Sequence, residues 1–262
     1  MMYQAIVAFD LDATLLNQAK QIPTENLQAL VSLRANQILP VIATGRDRFE
    51  IQDIIQAGQF DAIVSANGAD VYFQDQQLFE DTLAPTVLNH LATWSEQQQV
   101  SLAVSNHDGM AISQIDDLVR LNYRRIHREL PQVDASYYQN RDISKALTFI
   151  ADTPAGRQQE AQLRETFSDL TFYRNSDVCI DVVATGTTKA SGIATLQAKA
   201  GFETLPVYTF GDGYNDISML KAANVGIAMG NAPVAVQQQA DYVTRRYDDN
   251  GIVDACQHFN LI

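Results

Sequence analysis

Over its first third the chain alternates short apolar runs with amphipathic helical periods, which is how a parallel sheet with crossover helices reads in sequence. Residues 5–9, Ala-Ile-Val-Ala-Phe, are an unbroken apolar run and predict a buried strand. A helix over about 24–36, entered through Pro23 and carrying Leu27, Leu30 and Val31 on one face, leads to a second buried strand over 39–43. A further helix over about 48–57 precedes a strand at 62–64, after which Asn67-Gly68 and the alternation of Val71 and Phe73 predict a hairpin.

From about 83 to 187 this doubly wound pattern stops. The segment gives a helix with Trp94, strands near 102–104 and 147–150, helices around 117–128 and 156–167, and strands near Thr171 and Val178. Beyond Lys189 the first pattern returns, with a helix to Ala200, strands over 207–210 and 225–228, a helix over 217–222 and another starting near Pro233. The expected fold is α/β: a doubly wound, Rossmann-like parallel-sheet core over 1–82 and 188–262, split by an inserted α/β domain over 83–187. There is no internal repeat, and the runs Gln97-Gln98-Gln99 and Gln237-Gln238-Gln239 read as solvated helix faces.

Composition narrows the partners. A formal net charge of −13 argues against a nucleic-acid partner and an anionic membrane surface, both of which draw on clustered Lys and Arg. A phosphoester remains open if a metal ion and a few placed cations dominate locally. Met1 runs straight into the first strand without a basic leader, and no stretch reaches the roughly 18 apolar residues of a membrane span. Cys179 and Cys256 read as thiols of a reducing cytosol, with a single disulfide left open, so the expected location is cytoplasmic.

Four motifs carry the chemistry. Phe9-Asp10-Leu11-Asp12-Ala13-Thr14-Leu15-Leu16 ends an apolar strand on two carboxylates separated by one residue. Strand ends are where parallel-sheet proteins hold their sites. A carboxylate at Asp10 is suited to attack phosphorus, and Asp12 to protonate the leaving oxygen and later deprotonate water. Nearby anions are expected to raise the Asp12 pKa and keep it protonated for the first task. Val41-Ile42-Ala43-Thr44-Gly45-Arg46 ends a second strand on a hydroxyl, a glycine and a guanidinium placed to bind phosphate oxygens. Gly186-Thr187-Thr188-Lys189 opens a helix whose first amides favour an anion and adds an ammonium. Phe210-Gly211-Asp212-Gly213-Tyr214-Asn215-Asp216 delivers two more carboxylates from a strand end. Hard carboxylate oxygens suit Mg²⁺ better than zinc, and no His or Cys cluster competes.

In this order the motifs resemble the haloacid dehalogenase-like hydrolase superfamily and, within it, the Cof-type sugar-phosphatase-like branch. Ser65-Ala66-Asn67-Gly68-Ala69 and Gly226-Ile227-Ala228-Met229-Gly230-Asn231-Ala232 are similar to that branch's habitual sequences, and the insert looks like its type C2 cap. The resemblance implies a Mg²⁺-dependent phosphatase of small phosphorylated metabolites acting through an aspartyl phosphate on Asp10. It implies Mg²⁺ held by the Asp10 carboxylate, the Asp12 carbonyl and Asp212 with support from Asp216, and phosphate contacts from Thr44, Lys189 and Asn215. One position departs: the branch usually has Gly where this chain has Ala13, which would cost about 1 kcal/mol if a positive φ is required there.

Plainer roles stand beside these. Asp216 is placed to complement a helix dipole, Arg46 to pair with a core carboxylate, and Asp181 to cap a strand or face substrate. Asn106, His107 and Asp108 read as a turn, and Tyr123, Arg124 and Arg125 as a partly solvated helix face. A sugar phosphomutase and a non-catalytic sugar-phosphate-binding regulator are the competing functions, and oligomeric state is not legible.

Overall fold

The structure is a computed structural model that describes residues 3–126 and 128–262. Residues 1, 2 and His127, which the expected core and the expected 117–128 helix include, lie outside the described residues. In chain order the first elements are β1 (Ala5–Phe9), α1 (Thr24–Ala35), β2 (Ile38–Ala43), α2 (Gln52–Gly58), β3 (Ala62–Ser65), β4 (Asp70–Phe73) and β5 (Gln76–Glu80). The insert supplies α3 (Pro85–Gln97), β6 (Leu102–Asn106), β7 (Gly109–Ile112), α4 (Asp117–Arg125) and β8 (Gln132–Val133), then β9 (Lys145–Thr148), α5 (Pro154–Thr166), β10 (Leu170–Arg174) and β11 (Ile180–Ala184). The chain ends with α6 (Lys189–Ala200), β12 (Val207–Gly211), α7 (Ile217–Ala222), β13 (Val225–Ala228), α8 (Val234–Gln237), β14 (Tyr242–Val243) and α9 (Gly251–His258).

Two compact units result, one holding the chain up to Glu80 and from Thr188 to Ile262, the other Asp81–Thr187. The first is an eight-stranded sheet in the order β14-β13-β12-β1-β2-β3-β4-β5, parallel from β14 to β3 and closed by the antiparallel β3-β4-β5 meander. β1 is central, and its side chains are buried on both faces: Val7 and Phe9 pack with Leu30, Leu33 and Ile252, while Ile6 and Ala8 pack with Ile193, Leu196 and Met219. Burial on both faces is why the strand shows no polar alternation.

Two expectations need correction, and one strand went unread. In α1 the buried face is Asn26, Ala29, Leu30 and Leu33, with Val31 turned to solvent. Asn26 disguised that face, being polar yet buried so that its Nδ2 donates to the Leu15 carbonyl at 3.1 Å. The helix expected over 48–57 is a short 3₁₀ turn, Arg48–Ile51, followed by α2. β5 reads Gln-Gln-Leu-Phe-Glu, too polar to announce a strand, as befits an edge that is mostly exposed.

The insert is a six-stranded sheet, β10-β11-β9-β6-β7-β8, antiparallel except for the β7/β8 pair. Alternate strand residues serve opposite faces: Leu102, Val104 and Val182 meet Leu91 and Trp94 of α3 and Leu163 of α5, whereas Ala103, Ile112 and Leu147 meet Val119 and Tyr123 of α4. Tyr123 is therefore buried and not part of a solvated face, while Arg124 and Arg125 are exposed. The strand expected near Val178 starts at Ile180, and β7 and β8 lacked a long enough apolar run to be read. Thr187 Oγ1 donates to the Asp81 carboxylate and so ties the insert's two ends together. Cys179 and Cys256 are free, buried thiols. Among the described residues no helix is long and apolar enough to cross a membrane.

Candidate active site

Asp10, Thr44 and Asp212 each follow the C-terminal end of one of three adjacent parallel strands, β1, β2 and β12, so the sheet gathers them at one edge. The Asp10 amide still donates to the Phe210 carbonyl at 2.9 Å, which fixes its place beside β12. The chain then folds back: Leu15 N donates to Asp10 O at 3.2 Å and Leu16 N to Leu11 O at 2.8 Å. This tight return needs a left-handed residue, and Ala13 supplies it at φ 57°. The departure from glycine at this position therefore does carry backbone strain.

Lys189 is the first residue of α6, capped by Thr188, whose Oγ1 accepts the Ser191 amide at 3.0 Å. That cap takes a helix amide expected to serve an anion, so what the helix brings to the site is chiefly the ammonium. Its placement depends on a close backbone approach. A Cβ on Gly68 would lie 2.0 Å from the Thr188 carbonyl oxygen, and Gly68 has φ +105°. Only glycine lets the turn after β3 seat against the start of α6.

The Lys189 ammonium is fully buried between two carboxylates, 2.6 Å from Asp10 Oδ1 and 2.6 Å from Asp216 Oδ1. Burial alone would lower its pKa, but Asp10 and Asp216 outweigh burial and raise it, so the group stays charged. Asp216 also accepts the amides of Asp212 and Gly213 at 2.9 and 2.8 Å through Oδ2, which makes it a buried anchor of the turn instead of a solvent-facing helix acid. Asp10, Asp212 and Asp216 can bring one carboxylate oxygen each within 4.8 Å of one another. One ammonium does not balance three carboxylates. Burial, then the Asp216 and Asp212 charges acting against Lys189, holds the Asp10 carboxyl well above the usual range. Burial and Asp216 push Asp212 up to about 6. Buried, hard, under-compensated oxygens without a His or Cys among them fit a divalent cation such as Mg²⁺.

Asp12 lies outside that trio. Its carboxylate takes a two-pronged Arg46 fork, Nε to Oδ2 at 2.8 Å and an Nη to Oδ1 at 2.6 Å, while Lys20 Nζ reaches Oδ1 at 2.6 Å. Burial would raise the Asp12 pKa, yet Arg46 and Lys20 together bring it below the ordinary value. The expectation that neighbouring anions would raise it is corrected: its neighbours are cations. Arg46, expected to bind phosphate, spends its fork on Asp12, the carboxylate pairing that stood as its plainer role.

Thr44 is buried and its Oγ1 accepts the Arg46 amide at 3.2 Å, which leaves the hydroxyl proton for an incoming oxygen; Gly45 lies in the same turn. Asn215 Nδ2 donates to Asn67 Oδ1 at 3.0 Å, linking the turn after β12 to the turn after β3. Four side chains at the site had no assigned role in the sequence. Lys20 is one. Thr14 donates to Asp212 Oδ1 at 2.9 Å across 198 residues of chain. Asn231 donates to the Ala13 carbonyl at 3.0 Å and to Asp212 Oδ2 at 3.3 Å, and accepts the Tyr247 amide at 3.1 Å. Asn67 is the fourth. In the insert, Asp181 accepts from Asn175 at 2.6 Å, and exposed His107 lies 3.3 Å from Asp108 in the expected turn.

The haloacid dehalogenase-like hydrolase profile matches residues 7–256. The chain belongs to the haloacid dehalogenase-like hydrolase family. It is 26% identical over 258 residues to a putative phosphatase of Bacillus subtilis, covering 98% of each chain. To a 5-amino-6-(5-phospho-D-ribitylamino)uracil phosphatase of the same organism it is 27% identical over 260 residues, 98% of this chain and 96% of that one. A solved haloacid dehalogenase subclass IIB sugar phosphatase superposes with a TM-score of 0.88 at 27% identity, over 98% of this chain and 100% of its own. The resemblance to the Cof-type branch holds, as does the α/β fold, and with the family the chain is a phosphoric monoester hydrolase.

Proposed function

We propose that this haloacid dehalogenase-like hydrolase is a Mg²⁺-dependent phosphatase that takes the phosphoryl group of a small phosphorylated metabolite onto Asp10 and passes it to water. The observation that carries this reading is the Asp10–Lys189–Asp216 arrangement, a carboxylate at a strand end with a buried ammonium 2.6 Å away. Mg²⁺ held by Asp10 and Asp212, with Asp216 in support and the Asp12 carbonyl as the resemblance implies, would offset the repulsion between a phosphate dianion and these carboxylates.

The chain's own groups divide the rest of the work. Lys189 neutralises charge on the transferred group, and the Thr44 hydroxyl and Asn215 orient its oxygens. An Asp10 oxygen bonds to phosphorus as the ester oxygen departs, and that oxygen takes the proton of Asp12. Asp12, now a carboxylate beside Arg46, accepts a proton from the water whose oxygen attacks the aspartyl phosphate. Phosphate then leaves and Asp10 is restored. The lowered pKa of Asp12 keeps it in the unprotonated form that can accept a proton, so the acid part calls for a proton taken up as substrate arrives.

Relatives named for a sugar phosphate class and for a phosphorylated ribitylaminouracil point to a polyhydroxylated metabolite. Choice among such compounds is assigned to the inserted unit, and the setting to the cytoplasm, without nucleic-acid or membrane partners. The test is phosphate release from a panel of phosphorylated metabolites, with Mg²⁺ and with chelator, for wild type and Asp10→Asn. Metal-dependent release lost in the variant supports the reading. Isomerised sugar phosphate without free phosphate would replace it by a mutase, and tight binding without turnover by a regulator.

A further inference from the structure

Asp12 must present one oxygen to the leaving group and later to water, so the plane of its carboxyl has to be set by something other than its own two rotatable bonds. Arg46 reaches it from the loop after β2. The second hold comes from Asp12's own segment. After the left-handed turn at Ala13 the chain pairs Leu16 back against Asp12, and a second tight turn follows. There Asn17 N donates to Gln21 O at 2.9 Å, Lys20 N to Asn17 O at 3.0 Å, and Gln21 N to the Asn17 side chain at 3.1 Å. Lys20 sits in this turn at φ 60°, a left-handed conformation that a lysine adopts at a cost. The turn sends the Lys20 ammonium back to Asp12 Oδ1, the oxygen already held by an Arg46 Nη.

We propose that Lys20 is a positioning residue for the phosphatase reaction, holding the Asp12 carboxyl with Arg46 at the orientation from which it serves the leaving oxygen and the attacking water. This rests on the reading of Asp12 as acid and base. Two features separate the contact from an ordinary surface ion pair. It is made to a carboxylate already engaged by a guanidinium fork, so it adds a third point of hold to a group whose charge already has a partner. It is also returned from a loop closed by its own hydrogen bonds, so Lys20 comes with its backbone fixed. Its side chain is 33% exposed, so Lys20 is not part of the buried core.

The test is a double-mutant cycle on kcat, comparing wild type, Lys20→Ala, Asp12→Asn and the double variant. Substrates are an alkyl phosphate and an aryl phosphate, whose leaving group departs without a proton and keeps the Asp12→Asn rate measurable. Lys20→Ala is expected to lose about tenfold in kcat with KM within about twofold, Lys20→Arg to recover most of the loss, and Lys20→Ala to cost nothing further in the Asp12→Asn background. Equal losses in both backgrounds would overturn the proposal, as would an unchanged kcat in Lys20→Ala. Full activity of Asp12→Asn on the alkyl phosphate would instead remove the acid and base reading, while Asp10→Asn reports separately on the nucleophile. Thermal midpoints of the four proteins confirm that each is folded.

Discussion

Around Asp10 three carboxylates cluster with a single ammonium, which two of them hold, whereas around Asp12 two cations share one carboxylate that is 41% exposed. The two regions start two residues apart in the chain and end with opposite electrostatics. Asp10 and Asp212 are pushed up by burial and by each other's neighbours, while Asp12 is brought below its ordinary value by Arg46 and Lys20. The acidic side has oxygens that could hold a cation. The basic side is complete already and is built to hold one carboxyl in place. The proposed nucleophile and the proposed acid or base would need these different settings, which is how one Asp-x-Asp motif would serve two roles.

Removing the shared ammonium breaks the contrast most severely. Lys189→Met leaves Asp10 and Asp216 buried without their common partner, and the expected loss is about 3–5 kcal/mol in urea unfolding of the metal-free protein. The sign with pH follows from Asp10: without Lys189 its proton is held more tightly in the fold, so the loss shrinks at pH 5 and grows at pH 8. A variant equally destabilised at both values would show that the charge imbalance is not the cause.

Arg46→Ala attacks the other side. With its fork gone, burial acts on Asp12 against Lys20 alone, so the Asp12 carboxyl titrates at higher pH, as carbon NMR of the carboxyl can follow. Turnover is expected to fall about 10- to 100-fold, since the acid and base loses its alignment. An unmoved Asp12 titration would place the control of its charge elsewhere.

The acidic side is sharpened by metal binding. Asp212 titrates at about 6 and Asp10 is raised as well, so the metal-free fold binds protons more tightly than the unfolded chain does. Stability without metal therefore falls as pH climbs from the ordinary carboxylate range through about 6. Protons and Mg²⁺ compete for the same oxygens, so calorimetric Mg²⁺ affinity is expected to weaken by at least about tenfold per pH unit below that point, the slope for one displaced proton. Affinity independent of pH between 5 and 7 would exclude Asp212 from the metal site.

The smallest effect lies at the turn between the two regions. Ala13→Gly relieves the left-handed strain at φ 57° but also frees the unfolded chain, so the expected gain is about 0.5 kcal/mol, seen as a small rise in thermal midpoint. A loss of stability would mean that the Ala13 methyl packs usefully.

The Asp10, Thr44, Lys189 and Asp212 motifs were legible because each stands where an apolar run stops or a helix begins, and period alone marks such places. Their neighbours were not. Lys20 lies in a polar turn with nothing periodic about it, and Asn231 sits in a sequence recognised only by its resemblance to relatives. Thr14 meets a carboxylate 198 residues away, a distance over which no local pattern carries information. In α1 a polar Asn26 on the buried face misdirected the reading of which residues point inward.

What the sequence determined by itself is the order of the buried core strands and their crossover helices, the carboxylates at strand ends and the possibility of strain at Ala13, all consequences of local periodicity and backbone sterics. What only the tertiary structure decided is which charges meet: that Arg46 and Lys20 close on Asp12, that Lys189 lies between Asp10 and Asp216, and that Gly68 lets α6 come near enough to put it there. Charge and burial act through space, so the pKa of each carboxylate became readable only once the fold had chosen its neighbours.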